Sequence, residues 1–112
     1  MQQIIEAARD LSDKLKNSGL YKEYKQAKTE VYARAELVTL HNEYKRLARE
    51  LAAQNDGEPS ILQRKERVSA AYFAAASHYE LKRFLDAERA LVELMCDVLD
   101  IVADGCQISI DG

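Results

Sequence analysis

The stretch Glu80-Leu-Lys-Arg-Phe-Leu-Asp-Ala-Glu-Arg-Ala-Leu-Val-Glu-Leu-Met-Cys-Asp-Val-Leu-Asp-Ile-Val-Ala-Asp104 decides the fold class. Its polar residues Lys82, Asp86, Arg89, Glu93, Asp97, Asp100 and Asp104 recur at spacings of 4, 3, 4, 4, 3 and 4. That recurrence places them in one narrow line along an α-helix. Leu81, Phe84, Leu85, Leu91, Val92, Leu94, Met95, Val98, Leu99, Ile101 and Val102 occupy most of the remaining circumference. A helix so widely apolar belongs in the centre of a core or is shared between subunits. The helix is expected to start at Ser77-His-Tyr-Glu80, which has the form of a capping box, and to run to about Ala103, ahead of Gly105. Ser77 is read as the boundary with the preceding helix, or as a bend within a longer one.

Working towards the N-terminus, Ser60-Ile-Leu-Gln63 has the same capping-box form and opens a third helix. Its Ala70, Ala71, Ala74, Ala75 and Ala76 surround Tyr72 and Phe73 and permit close approach of neighbours. Before it, no Gly or Pro interrupts Leu20 to Asp56, and Asn55-Asp56-Gly57 supplies a stop. This predicts one long second helix of roughly 50–55 Å, at ~1.5 Å per residue. Leu20, Tyr24, Ala27 and Val31 form one apolar stripe on it, and Leu37, Leu40, Tyr44, Leu47 and Leu51 a second, with the buried face shifting near Ala33–Ala35. A first helix, Gln2 to Lys16, carries Ile4 or Ile5, Ala8, Leu11 and Leu15. Asn17-Ser18-Gly19 ends it, with Ser18 as the cap of the next. The segment from Ser18 to Ala27 weakly echoes that from Ser77 to Ala87, as two helix starts would. The tail Gln107 to Gly112 alternates polar and apolar residues and reads as a frayed terminus ahead of an added strand.

The reading is therefore all-α: a helical bundle of about four helices, one of them long, completed by oligomerisation. Residues 1–104 form a single helical domain and 105–112 a short tail. At 112 residues, with 47% hydrophobic and 31% charged residues, the chain suits one folded domain. One Pro and four Gly are too few for an all-β chain of this size. The N-terminus lacks a basic region followed by an apolar run, and no apolar stretch has the length of a membrane span. A cytoplasmic location is expected, with no membrane partner.

Chemical sites are sparse. His41 lies beside the Leu40/Tyr44 stripe as a core-edge residue, and His78 just after a cap as a first-turn polar residue. No glycine-rich loop exists to cradle a phosphate. Cys96, among Val92, Met95 and Leu99, reads as a buried thiol, and Cys106 as a more accessible one. Zinc or an iron–sulfur cluster wants about four ligands, so two cysteines would suffice only if shared between chains. No cofactor is expected. Lys22, Lys25 and Lys28, near Tyr21, Tyr24 and Tyr32, and Arg64, Lys65 and Arg67 make two local basic groups. Acids intervene at Glu23, Glu30 and Glu66, so a solvated, salt-bridged face outweighs a nucleic-acid surface. The net charge is −3, carried by the second half of the chain. Asp97, Asp100 and Asp104 sit where the helix dipole disfavours them; solubility accounts for that placement better than a basic partner, and a partner better than a divalent ion.

Two stretches resemble the YlbF/YmcA-like bacterial family named for control of competence. One is Ala8-Arg-Asp-Leu11 through Ser18-Gly-Leu-Tyr-Lys-Glu-Tyr24-Lys-Gln-Ala27. The other is Arg67-Val68 through Leu81-Lys-Arg-Phe84-Leu-Asp-Ala87-Glu88-Arg-Ala-Leu91, continuing to Ile101. The resemblance implies a non-catalytic helical bundle that forms homo- or hetero-oligomers with related helical proteins. It also implies an accessory role in a cytoplasmic complex affecting competence, biofilm formation, sporulation and mRNA processing. Some relatives carry a cysteine-rich tail linked to iron–sulfur binding; here only Cys106 follows the last helix, and no catalytic residue carries over. From the apolar faces, the expected interface is Leu40, Tyr44, Leu47, Leu51, Leu91, Leu94, Met95, Val98, Ile101 and Val102. The alternatives are a metal or cluster protein with cysteines shared between chains, and a weak nucleic-acid binder. Elemental analysis of anaerobically purified protein separates the first of these. Iron and zinc are expected well below one per dimer; a full complement lost on Cys106→Ser would establish a shared metal site.

Overall fold

The computed structural model describes residues 1–53 and 61–107. They form five α-helices: α1 (Gln2–Lys16), α2 (Gly19–Tyr32), α3 (Ala35–Ala52), α4 (Ile61–Ala76) and α5 (Tyr79–Gly105). The chain divides into two compact units. One comprises Met1–Gln26 with Asp86–Gly112, the other Ala27–Leu85. Ser60, the stop at Asn55-Asp56-Gly57 and the alternating tail beyond Gln107 lie outside the described residues.

The expected long second helix is two helices. Arg34 adopts an extended conformation, φ −126° and ψ 114°, between α2 and α3. No Gly or Pro forces this break, so its cause is packing. Ala27 and Val31 are the buried residues of α2, and Leu37, His41 and Leu47 those of α3. At about 100° per residue, an unbroken helix would point Leu37 some 120° away from Val31. One extended residue resets the phase, and Ala27 and Val31 of the first stripe and Leu37 and Leu47 of the second are buried. The projecting helix that called for a partner to cover it therefore does not exist.

Within the Ala27–Leu85 unit, Phe84 on α5 closes the angle at the break. Its ring lies 6.4 Å from that of Tyr32 on α2, edge to face, and 4.9 Å from the imidazole of His41 on α3. Phe84, Leu37, Leu81, His41 and Val31 are the largest fully buried side chains. His41 is thus a core residue and not an edge one. Polar contacts fasten the rim: Arg83 Nη1 donates to Glu30 of α2, and Arg34 reaches Glu36 at 2.6 Å and Glu80 at 3.4 Å. The Arg34 guanidinium holds the Glu36 carboxyl below its ordinary range, but both groups are solvated and the pair adds little to stability.

α3 packs on α4. Tyr44 meets Tyr72 with ring centroids 5.7 Å apart. Arg64 is buried, and its Nη1 donates to the carbonyls of Glu50 at 3.1 Å and Ala53 at 3.0 Å. These carbonyls belong to the last turn and C-cap of α3, where helix geometry leaves acceptors without intrahelical donors and the dipole favours a cation.

The two serine turns are built alike. Ser18 Oγ donates to Leu15 O at 2.6 Å and accepts the Tyr21 N–H at 3.2 Å, so it caps α2. Ser77 Oγ donates to Ala74 O at 2.7 Å between α4 and α5, which are separate helices. The weak sequence echo thus coincides with two similar turns.

Because Phe84 joins the elements flanking the break, Phe84→Ala is expected to lower stability by about 3–5 kcal/mol, the cost of emptying a buried aromatic site. Urea denaturation followed by circular dichroism measures this. A loss under 1 kcal/mol would mean that the break is held elsewhere.

Candidate functional site

The unit formed by Met1–Gln26 and Asp86–Gly112 leaves apolar side chains open on both α1 and α5. α1 has no buried residue, and Ile4, Ile5 and Leu11 on its apolar stripe are exposed. Along α5, Leu81, Phe84 and Leu85 are buried, but Val92, Met95, Leu99 and Val102 are 52–56% exposed and Ile101 is 70% exposed. The polar line behaves as its spacing predicts: Lys82, Asp86, Arg89, Glu93, Asp97, Asp100 and Asp104 are all exposed.

The residues expected at an interface separate by helix. On α3, Leu47 is buried within the chain, Leu40, Tyr44 and Leu51 are half-buried, and Tyr44 is engaged by Tyr72. On α5, Leu91, Leu94 and Val98 are half-buried, and Met95, Ile101 and Val102 are open. The open face on α5 is Val92, Met95, Leu99 and Val102, and Ile101 lies about 140° from its centre. Their 3- and 4-residue spacing was visible in the sequence, but which apolar positions the chain itself would cover was not.

Cys96 corrects a further expectation. Both Cys96 and Cys106 are exposed. The Val92–Met95–Leu99 surroundings that suggested a buried thiol are themselves uncovered in the single chain. Among the described residues, no group of three or more His, Cys, Asp or Glu side chains is placed to hold a metal ion. His41 packs on Phe84 within the Ala27–Leu85 unit.

The basic groups are dispersed by packing. Arg64 is spent on the end of α3 and leaves Lys65 and Arg67 as the exposed cations of its cluster. Lys28 Nζ lies 5.5 Å from the centroid of the Tyr32 ring, a cation–π contact within one helix. Tyr21 and Tyr24, 6.2 Å apart, pack on each other, both half-buried. On α3, Arg46 is shared between Glu43 and Glu50, each at 2.7 Å, and holds the Glu43 carboxyl below its ordinary range. Titration of labelled single-stranded RNA near physiological salt is expected to show no saturable binding at low micromolar protein. Tight binding abolished by charge reversal at Lys22, Lys25 and Lys28 would contradict this.

No helix among the described residues is long and apolar enough to cross a membrane. No curated protein and no solved structure matches the chain. A family model does: "Control of competence regulator ComK, YlbF/YmcA" matches residues 4–107. That span takes in α1 to α5, including both stretches that carry the sequence resemblance, and the chain belongs to the YlbF/YmcA family of competence-control proteins.

Proposed function

We propose that this chain acts as a regulatory scaffold by self-association through the C-terminal half of α5, with hetero-oligomers of related helical proteins built on the same face. Membership of the YlbF/YmcA family makes it a non-enzymatic regulatory protein of the competence-control type. The observation that carries the assembly reading is the open apolar run Val92, Met95, Leu99 and Val102 along one face of α5. Soluble monomers seldom leave contiguous apolar patches beyond a few hundred Å². The half-buried Leu91, Leu94 and Val98 border this run and would lose their remaining exposure in the assembly. α3 contributes less than its apolar stripe suggested, since Leu47 is already buried within the chain. A role in a cytoplasmic complex agrees with this reading, in which recognition between helical surfaces takes the place of chemistry at a pocket.

Light scattering after size exclusion tests the reading. The expected mass is at least twice the 12.7 kDa of one chain and persists on micromolar dilution. Leu91→Glu or Val98→Glu is expected to dissociate and destabilise the protein, because an unpaired charge in an apolar contact is costly. A wild-type mass of one chain at every concentration would refute self-association.

A further inference from the structure

The geometry points to an antiparallel pairing of α5 with α5 of a second copy, centred within one residue of Cys96. The inference rests on the self-association proposed above and adds its occupant, register and direction.

Leu81, Leu85, Glu88, Val92, Met95, Leu99, Val102 and Cys106 follow one another at alternating spacings of 4 and 3. This is the repeat of a helix that packs along a single seam. Its first part is occupied within the chain, since Leu81 and Leu85 are buried. From Val92 to Val102 the same line runs on uncovered. Whatever covers it extends an already packed seam, and a helix of matching repeat fits it. α5 itself has that repeat.

Charge placement permits self-pairing. At about 100° per residue, Val92, Met95, Leu99 and Val102 span an arc of about 80°. Asp86, Glu93, Asp97, Asp100 and Asp104 centre about 150° away from it, on the back of the helix. Glu88 is the one carboxylate on the seam itself; the antiparallel register sets it against the partner's Cys106, whereas a parallel, in-register pair would set it against its own copy. The positions flanking the seam are Leu91, Cys96 and Val98. They are uncharged, so the contact is wider than a two-residue seam. The open part of these side chains is on the order of 500 Å² per copy, and a pair reaches the ~1,000 Å² that a specific interface needs.

Direction follows from what each end of α5 offers. The N-terminal turns are occupied at Leu81, Phe84 and Leu85, and parallel pairing would bring two occupied ends together. It would also align like helix dipoles and set the acidic C-terminal turns of both copies side by side. In the antiparallel arrangement, Val92 faces the partner's Val102, and Met95 faces the partner's Leu99.

The two native cysteines read out the direction. In the antiparallel pair, Cys96 and the partner's Cys96 lie about 3 Å apart along the axis and flank the same edge, whereas the two Cys106 residues are separated by about 27 Å. In a parallel, in-register pair, Cys106 continues the seam and faces its own copy, while the two Cys96 residues lie on opposite edges. The experiment treats Cys106→Ser and Cys96→Ser proteins with a short bis-maleimide at a concentration where light scattering gives the assembled mass. Cys106→Ser is expected to give a covalent dimer and Cys96→Ser is not. The reverse pattern, or an assembled protein that neither thiol links, overturns the antiparallel pair and leaves self-association standing. A monomeric mass removes both. In a second variant, Leu99→Glu, the altered side chain is half-exposed in the single chain, so helical circular dichroism is expected to survive while the mass falls to one chain. Retention of the assembled mass by Leu99→Glu would equally overturn the pairing.

Discussion

The fold of the Ala27–Leu85 unit depends on the aromatic contact at the α2–α3 break. Phe84 is buried against Tyr32 from one helix and His41 from the next. That contact rewards a bent chain over a straight one. The local sequence alone favours continuation, because Ala33, Arg34 and Ala35 contain no helix breaker. The extended Arg34 interrupts the helical ladder, although its N–H still donates to Val31 O at 3.0 Å, and the bend buries Val31 together with Leu37, which a straight helix would hold apart. Burying a side chain of Leu or Val size is worth roughly 1.5–3 kcal/mol, so several such residues outweigh one interrupted turn.

Charged groups in the same unit serve structure. Arg64 is the clearest example: a basic residue in a basic cluster that folds inward to the exposed carbonyls at the end of α3. A buried guanidinium is tolerable only where strong acceptors meet it, and a helix C-terminus provides them. Arg83 with Glu30 ties α5 to α2, and Glu80 with Arg34 ties it to the break itself. Several cations that composition makes available to a nucleic acid are consumed in this way.

α5 combines the two kinds of surface on one helix. Its first turns are core, and its later turns keep the same repeat without cover. This division suits a protein of a regulatory family whose work is recognition. The acidic line stays in water along the back of α5, and the uncovered apolar face is the feature on which the assembly reading rests.

The sequence by itself determined the helical class, the α1 boundaries at Gln2 and Lys16, the Ser18 cap, the boundary at Ser77 and the solvent-facing line from Lys82 to Asp104. Each follows from spacing or from hydrogen bonding within a few residues, which is information carried locally. The family was legible too, because its pattern of caps, small residues and apolar spacing runs through the chain. Tertiary structure alone decided the break at Arg34, the burial of His41 and Arg64, and the exposure of Cys96. These depend on which neighbour arrives at a given face, and residues far apart in sequence supply that neighbour: Phe84 for His41, and the end of α3 for Arg64. Periodicity shows that a face is apolar, but whether the chain covers it depends on where the other helices pack.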